Sequence, residues 1–264
     1  MRRFSAEYLR DTRDGMWDDS QDALAGLNLE TRERVLDVGA GTGELTRVLR
    51  ASVPGEVLAF DADRELLSHI DPPRIQGDAT RLPFNDGAFD LVVCQALLVN
   101  LPTPESALAE FARASRDRVA VIEPDNSAVT IDSTVDTESP LARRARDGYL
   151  DGVSTDAALG EARELFDRVG LTDITVRQYN HTQEIAPPYS KRALESARMK
   201  ASGRGLERDR ETILAGDTTP DEFDHLREEW RKMGRDVIEQ MQDETYRHRQ
   251  TVPFYVTTGR VSRE

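Results

Sequence analysis

The chain has 264 residues, a net charge of −14 and a single cysteine, Cys94. One cysteine excludes an internal disulfide and a cysteine-built zinc cluster, and no apolar run of about 18 residues is present to span a membrane. The charge argues against a generic nucleic-acid surface, which needs a basic patch.

The charge has a second source. Of the 35 basic residues only Lys191, Lys200 and Lys232 are lysine. Abundant acid with scarce lysine resembles the proteins of salt-loving microbes, where high charge keeps proteins soluble and salt screens the repulsion. The N-terminus is charged throughout and lacks the apolar core of a secretory signal. The expectation is a cytoplasmic protein; the sequence is silent on oligomeric state.

Residues 1–30 are polar with scattered aromatics and predict one or two short helices. From 34 to 123 short apolar runs alternate with helical spacing: "RVLDV", "EVLAF", "FDLVVC" and "RVAVIE" read as strands, and 44–51, 63–70 and 104–116 as helices. That alternation predicts a parallel sheet covered on both faces. Residues 139–170 read as mostly helical, ending at Gly170. Residues 171–185 alternate with strand period, and "PFYVTTGRV" reads as the last strand. Between those strands, "TTPDEFDHLREEWRKMGRDVIEQM" predicts a long helix. Thr219 and Glu222 fit a capping box, with Pro220 at the first helical position. Phe223, Leu226, Trp230, Met233, Val237 and Met241 form one apolar stripe.

The chemistry centres on "RVLDVGAGTGELTRVL". A strand ending in Asp37 runs into Gly39-Ala40-Gly41-Thr42-Gly43, and a helix opens at Glu44. Glycines at this spacing let a ligand meet the main chain where a Cβ would collide. A Walker loop is excluded, because no Gly-Lys-Ser/Thr follows. A dinucleotide loop prefers GxGxxG with a pyrophosphate on the helix N-terminus; here the spacing is GxGxG, and the Glu44 carboxylate would repel a pyrophosphate. Asp61 ends the second strand, where an acid can accept from ribose hydroxyls. Asp78 follows the third strand, where a carboxylate can accept from an adenine amino group.

"VLDVGAGTGELTRVL", "FDADRELL", "GDATRLPFNDGAFDLVVCQALLVNLP" and "ALAEFARASRDRVAVIEPDN" resemble, in order and spacing, the motifs of class I S-adenosylmethionine-dependent methyltransferases. They are most similar to the small-molecule group that includes the ubiquinone/menaquinone biosynthesis type. The resemblance covers about residues 34–125. It implies a doubly wound, seven-stranded, mainly parallel α/β sheet of Rossmann-like type with a helical insertion before the last strand. It also implies S-adenosyl-L-methionine as cofactor and a small-molecule methyl acceptor. By the same resemblance Gly39, Ala40, Gly41 and Gly43 would admit the methionine part and Asp37 would position its ammonium. Asp61 would hold the ribose, Ala62 would stack near the adenine, Asp78 and Ala79 would read the adenine edge, and Gln95 would border the methyl group. Two features depart from the family. "SRDR" (115–118) replaces the usual Gly-Gly turn, which should affect a surface turn only. Asn100 stands near the position where many relatives carry a His, so no catalytic residue is assigned.

The expected organisation is one domain. Residues 31–185 and 251–264 form the core, 1–30 an N-terminal cap segment, and 186–250 a helical insertion that closes over the acceptor. Phe4, Tyr8, Trp17, Tyr189 and Trp230 are candidates for its lining, and His181 could face the substrate. Cys94 reads as a buried apolar residue. His225 and Glu229 have i,i+4 spacing, but a metal needs more ligands, so no metal site is expected. "APPY" (186–189) reads as a helix-entry turn. Competing readings are an RNA or protein methyltransferase, with "RRARDGYL" or "KRALESARMK" as its basic patch, an inactive cofactor-binding partner subunit, and a nicotinamide dehydrogenase.

Overall fold

The computed structural model describes residues 5–13, 15–17, 21–156 and 159–262. The chain divides into two compact units: Met1–Asp125, Leu159–His181 and Pro253–Glu264 form the first, and Asn126–Ala158 with Thr182–Val252 the second. In chain order the elements are α1 (Ala6–Arg13), β1 (Arg34–Val38), α2 (Glu44–Ser52), β2 (Glu56–Asp61), α3 (Arg64–Leu67), β3 (Arg74–Gln76), β4 (Phe89–Gln95), α4 (Pro104–Ala114) and β5 (Ser115–Pro124). They continue with β6 (Thr130–Ser133), α5 (Glu138–Gly152), α6 (Arg163–Arg168), β7 (Leu171–Ile185), α7 (Lys191–Ser202), α8 (Arg204–Arg208), α9 (Arg210–Ile213), α10 (Pro220–Gln242) and β8 (His248–Val261).

In the first unit the strand order is β3-β2-β1-β4-β5-β8, with β7 also paired to β8. The five strands β1 to β5 are mutually parallel, and β8 returns antiparallel to β5. Every residue of β4 is buried, as a strand covered on both faces requires. Val38 pairs with Phe60 of β2 and with Cys94 of β4, so the carboxyl ends of β1, β2 and β4 lie level. Leu36, Phe60, Phe89, Val92, Phe111, Val121 and Phe166 belong to one buried apolar cluster.

In the second unit the α10 stripe is buried: Phe223, Leu226, Met233, Val237 and Met241 share a core with Ala193 and Ala197 of α7, and Trp230 packs against it. Gly234 sets the helix approach, because a Cβ there would fall 2.2 Å from the Ala201 backbone nitrogen. The capping box forms as the sequence predicts: Thr219 accepts from the Glu222 backbone and Glu222 reaches back to Thr219. "APPY" leads into α7, which Ser190 caps. Near the start of β8, residues of β6 pair antiparallel with His248 to Thr251.

Three local expectations change. The sheet contains eight strands among the described residues; the additional one, β6, is a four-residue segment with a half-exposed pattern. The helix expected over 139–170 ends at Gly152, and α6 starts only at Arg163. A Cβ on Gly152 would lie 1.8 Å from the Thr212 carbonyl oxygen, so the end of α5 is pressed on neighbouring backbone. "SRDR" is more than a surface turn: Ser115 is buried, and Asp117 holds the guanidinium of buried Arg32 at 2.5 Å. Burial raises the Asp117 carboxyl, but the Arg32 hydrogen bond and charge outweigh it and hold the group below its ordinary range.

Candidate cofactor site

Strand ends position the site. β1 stops at Val38, and Gly39, Gly41 and Gly43 all adopt left-handed backbone, with φ of 72°, 57° and 88°. Residues with a Cβ are strained there, which explains the spacing of the three glycines. Gly43 caps α2 without a side chain. The Thr42 hydroxyl donates to Glu44 Oε1 at 2.7 Å, so an acid stands at the helix start.

Asp37 is buried at the end of β1 and accepts from the Thr46 hydroxyl at 2.5 Å. Burial pushes its carboxyl up to about 7, against the Thr46 bond and the charge of Arg13. One strand over, Asp61 accepts the Gly41 N–H at 2.8 Å through Oδ2 and the Asp63 N–H at 2.8 Å through Oδ1. Burial raises Asp61 as well, and these two N–H bonds oppose the rise. Ala62 is exposed, and its carbonyl accepts from Gln76. Asp78 is exposed, and the backbone and hydroxyl of Thr80 hold its carboxyl low. Ala79 is buried beside it. Gln95 is buried at the end of β4, and Ala96 after it takes a φ of 47°. The structure thus brings the expected residues to the carboxyl ends of β1 to β4, the ligand edge of an open α/β sheet.

The neighbouring residues add three groups that sequence reading missed. Leu9 and Arg13 of α1 lie over the loop: a Cβ on Gly41 would meet Leu9 at 3.1 Å and Arg13 at 3.4 Å. Glu123, fully buried at the end of β5, accepts the N–H groups of Leu97, Leu98 and Val99. Burial pushes its carboxyl up to about 7 against those bonds. Its only sequence signal is an acid closing an apolar run. Cys94 is buried, and burial together with Glu123 raises its thiol, which leaves it neutral and part of the core.

Of the expected lining residues, Phe4 and the Tyr8 side chain lie outside the described residues. Trp17 is buried in the first unit. Tyr189 and Trp230 pack in the core of the second unit, where Tyr189 donates to the Tyr246 carbonyl. His181 is buried on β7.

A methyltransferase-domain family model matches residues 36–122, the stretch that carries all four of these strand ends. Residues 36–122 thus carry a methyltransferase domain. Among its relatives, the ubiquinone/menaquinone biosynthesis C-methyltransferase UbiE of Burkholderia mallei is 37% identical over 113 residues, which cover 38% of this chain and 46% of that protein. The same enzyme of Burkholderia thailandensis gives the same figures. The chain thus spans about half the length of the curated relatives it matches. Two solved structures share the fold of the methyltransferase domain. A Bacillus halodurans protein named as a methyltransferase aligns with a TM-score of 0.55 at 15% identity, over 93% of this chain and 100% of that one. The YcgJ protein of Bacillus subtilis aligns with a TM-score of 0.51 at 16% identity, over 92% and 100%.

Proposed function

We propose that the protein transfers a methyl group from S-adenosylmethionine to a small-molecule acceptor by in-line displacement. The observation that carries this reading is the junction of Asp61 with Gly41. An acid placed for the ribose and a glycine with no Cβ to block the main chain are hydrogen-bonded across adjacent strand ends. The residues fit the cofactor. Three left-handed glycines shape the loop, where Cβ atoms would crowd Leu97, Leu9 and Ile70, and two partly or fully buried carboxylates, Asp37 and Asp61, suit a ligand with positive charge. Glu44 at the head of α2 disfavours a pyrophosphate.

In this reading Gly39, Ala40, Gly41 and Gly43 receive the methionine end, and Asp37 faces its ammonium. Asp61 accepts from the ribose hydroxyls, Ala62 lies along the adenine, Asp78 and Ala79 read its edge, and Gln95 borders the methyl. The cofactor supplies an activated methyl on a sulfonium; the protein aligns it with the acceptor and excludes water. No metal enters the step. The printed role of the UbiE relatives, C-methylation in quinone biosynthesis, supports a small-molecule acceptor.

The test is calorimetric titration with S-adenosylhomocysteine and, separately, NADH on wild type and Asp61→Ala. Micromolar binding of the first ligand alone, lost in the variant, is expected. Failure of folded wild type to bind S-adenosylhomocysteine would sink the reading.

A further inference from the structure

In the second unit β6 turns directly into α5. The Ser133 hydroxyl donates to Glu138 Oε2 at 2.5 Å and accepts the Val135 N–H at 3.1 Å, so the first turn of the helix is held beside the strand. The faces of α5 then differ. Leu141, Ala145 and Tyr149, at i, i+4 and i+8, belong to the apolar core of this unit. Ser139, Arg143 and Arg146, at i, i+4 and i+7, share another face. Thr130 and Asp132 stand two apart on β6, on one side of the strand. These five residues, with Ile131, line one cavity of about 250 Å³.

The cavity holds uncommitted positive charge. Of the three arginines on α5, Arg144 pairs with Glu229 Oε2 at 2.6 Å. Among the described residues Arg143 and Arg146 have no such partner, and the Arg146 Nε is buried without a hydrogen bond. Burial lowers the Arg146 pKa; Asp147, its neighbour in the chain, opposes the fall, and the like charge of Arg143 adds to it. Asp132 is the one carboxylate in the lining, so two guanidiniums face a single acid. Acidic residues outnumber basic ones 49 to 35 in this chain, so acids to pair with are plentiful. Two neighbouring guanidiniums left over at a cavity call for another counter-charge. The guanidinium fork takes two oxygens of a carboxylate or phosphate at once, and hydroxyls such as those of Ser139 and Thr130 can donate to the same oxygens. The volume lies below the roughly 300–1,000 Å³ of pockets for drug-sized ligands, which restricts the occupant to a small molecule.

We propose that Arg143 and Arg146 form an oxyanion-binding site, and that its ligand is a small molecule carrying one phosphate or carboxylate group. The oxyanion sits against the two guanidiniums, and Asp132 limits the site to one such group by repelling a second. The proposal stands apart from the methyltransferase reading, because none of these residues belongs to the cofactor set.

Thermal melts of the full chain with inorganic phosphate or with acetate test it, at an ionic strength fixed with sodium chloride so that screening stays constant. At least one of the two anions should raise the melting temperature saturably, by about 3 °C once it stands about tenfold above its Kd. The anion with the larger rise names the group that the site takes. Phosphate also stabilises proteins in general through exclusion from their surface, so the variants decide. Arg143 is exposed, and Arg143→Gln leaves the fold intact; it should lose most of the saturable rise. Arg146→Met, which keeps an aliphatic stem, should lose it too. Arg144→Gln makes the same charge change one residue away and should keep it. No saturable rise with either anion, a rise unchanged in Arg143→Gln, or an equal loss in Arg144→Gln overturns the proposal. Affinity for S-adenosylhomocysteine should be the same in Arg143→Gln as in wild type; a loss would mean that the pair serves the cofactor and would overturn a site of its own. Failure of wild type to bind S-adenosylhomocysteine would count against the methyltransferase reading alone.

Discussion

The Asp61 carboxylate accepts the backbone N–H of Gly41 at 2.8 Å, so the acid closing β2 fixes the middle of the glycine loop. Gly41 is buried with φ of 57°. Gly41→Ala should therefore fail twice over. The left-handed backbone costs an alanine about 1–2 kcal/mol, and its Cβ would crowd Leu9 at 3.1 Å. We expect at least a tenfold loss of S-adenosylhomocysteine affinity by calorimetry, with the protein still folded. Unchanged affinity would show that the loop's main chain does not meet the ligand.

Asp37 gives stability and binding opposite pH dependence. Its carboxyl is raised by burial from 3.8 to about 7 in the folded protein. A raised acid favours the folded state while protonated. Its contribution is complete below about pH 4 and is lost as pH rises through 7, a change of roughly 4 kcal/mol. Glu123, also raised to about 7, adds a slope of the same sign. Denaturant melts between pH 4 and 8 should show this decline, and Asp37→Asn should shallow it. If Asp37 meets the cofactor's ammonium, affinity for S-adenosylhomocysteine should rise over pH 6–8 in wild type and lie flat in the variant.

Glu138 runs the other way. It is buried in the second unit, accepts from the Ser133 and Tyr246 hydroxyls at 2.5 and 2.9 Å, and is bonded to the Lys200 ammonium. His248 Nδ1 lies 3.3 Å away. Burial pushes the carboxyl up, but His248 and Lys200 outweigh it and hold it far below the ordinary range. A depressed acid contributes stability above its unfolded pKa, and that stability is lost as pH falls below about 4.5. Glu138→Gln should remove this acid-side loss. At pH 7 it should cost about 3 kcal/mol, because Lys200 is left as a largely buried cation without its counter-charge. A variant as stable as wild type at pH 7 would mean that the cluster holds nothing together.

Gly234→Ala sets two effects against each other. Alanine gains about 1 kcal/mol in a helix interior over glycine. The new Cβ would fall 2.2 Å from the Ala201 nitrogen and 2.4 Å from the Lys200 carbonyl carbon, backbone that no rotamer change can clear. Overpacking of this kind costs about 1–3 kcal/mol or more, so a lower melting temperature is expected. A higher one would place α7 and α10 farther apart than described.

What could be read in the sequence was what is local. β1, β2, β4 and β5 are contiguous apolar runs, and the Thr219–Glu222 box lies within four residues, so both appear as expected. β6 was not legible, because four half-exposed residues become a strand only by pairing with residues more than a hundred positions later. Glu123 reads as the end of a strand; its work depends on three N–H groups at 97–99. Nothing in α1 announces that Leu9 and Arg13 dock on the loop, since an amphipathic turn specifies a face and not its partner.

That docking has a kinetic side. Gly41 is buried because α1 covers it, with Leu9 itself 5% exposed. A molecule that is to meet the loop's main chain meets this helix first, and displacing it would withdraw the Arg13 charge that acts on Asp37 and Asp61. Entry is then timed by the protein. In stopped-flow mixing the observed rate should level off at high ligand concentration instead of climbing in proportion to it. Trimming the obstructing side chain, Leu9→Ala, should raise that plateau.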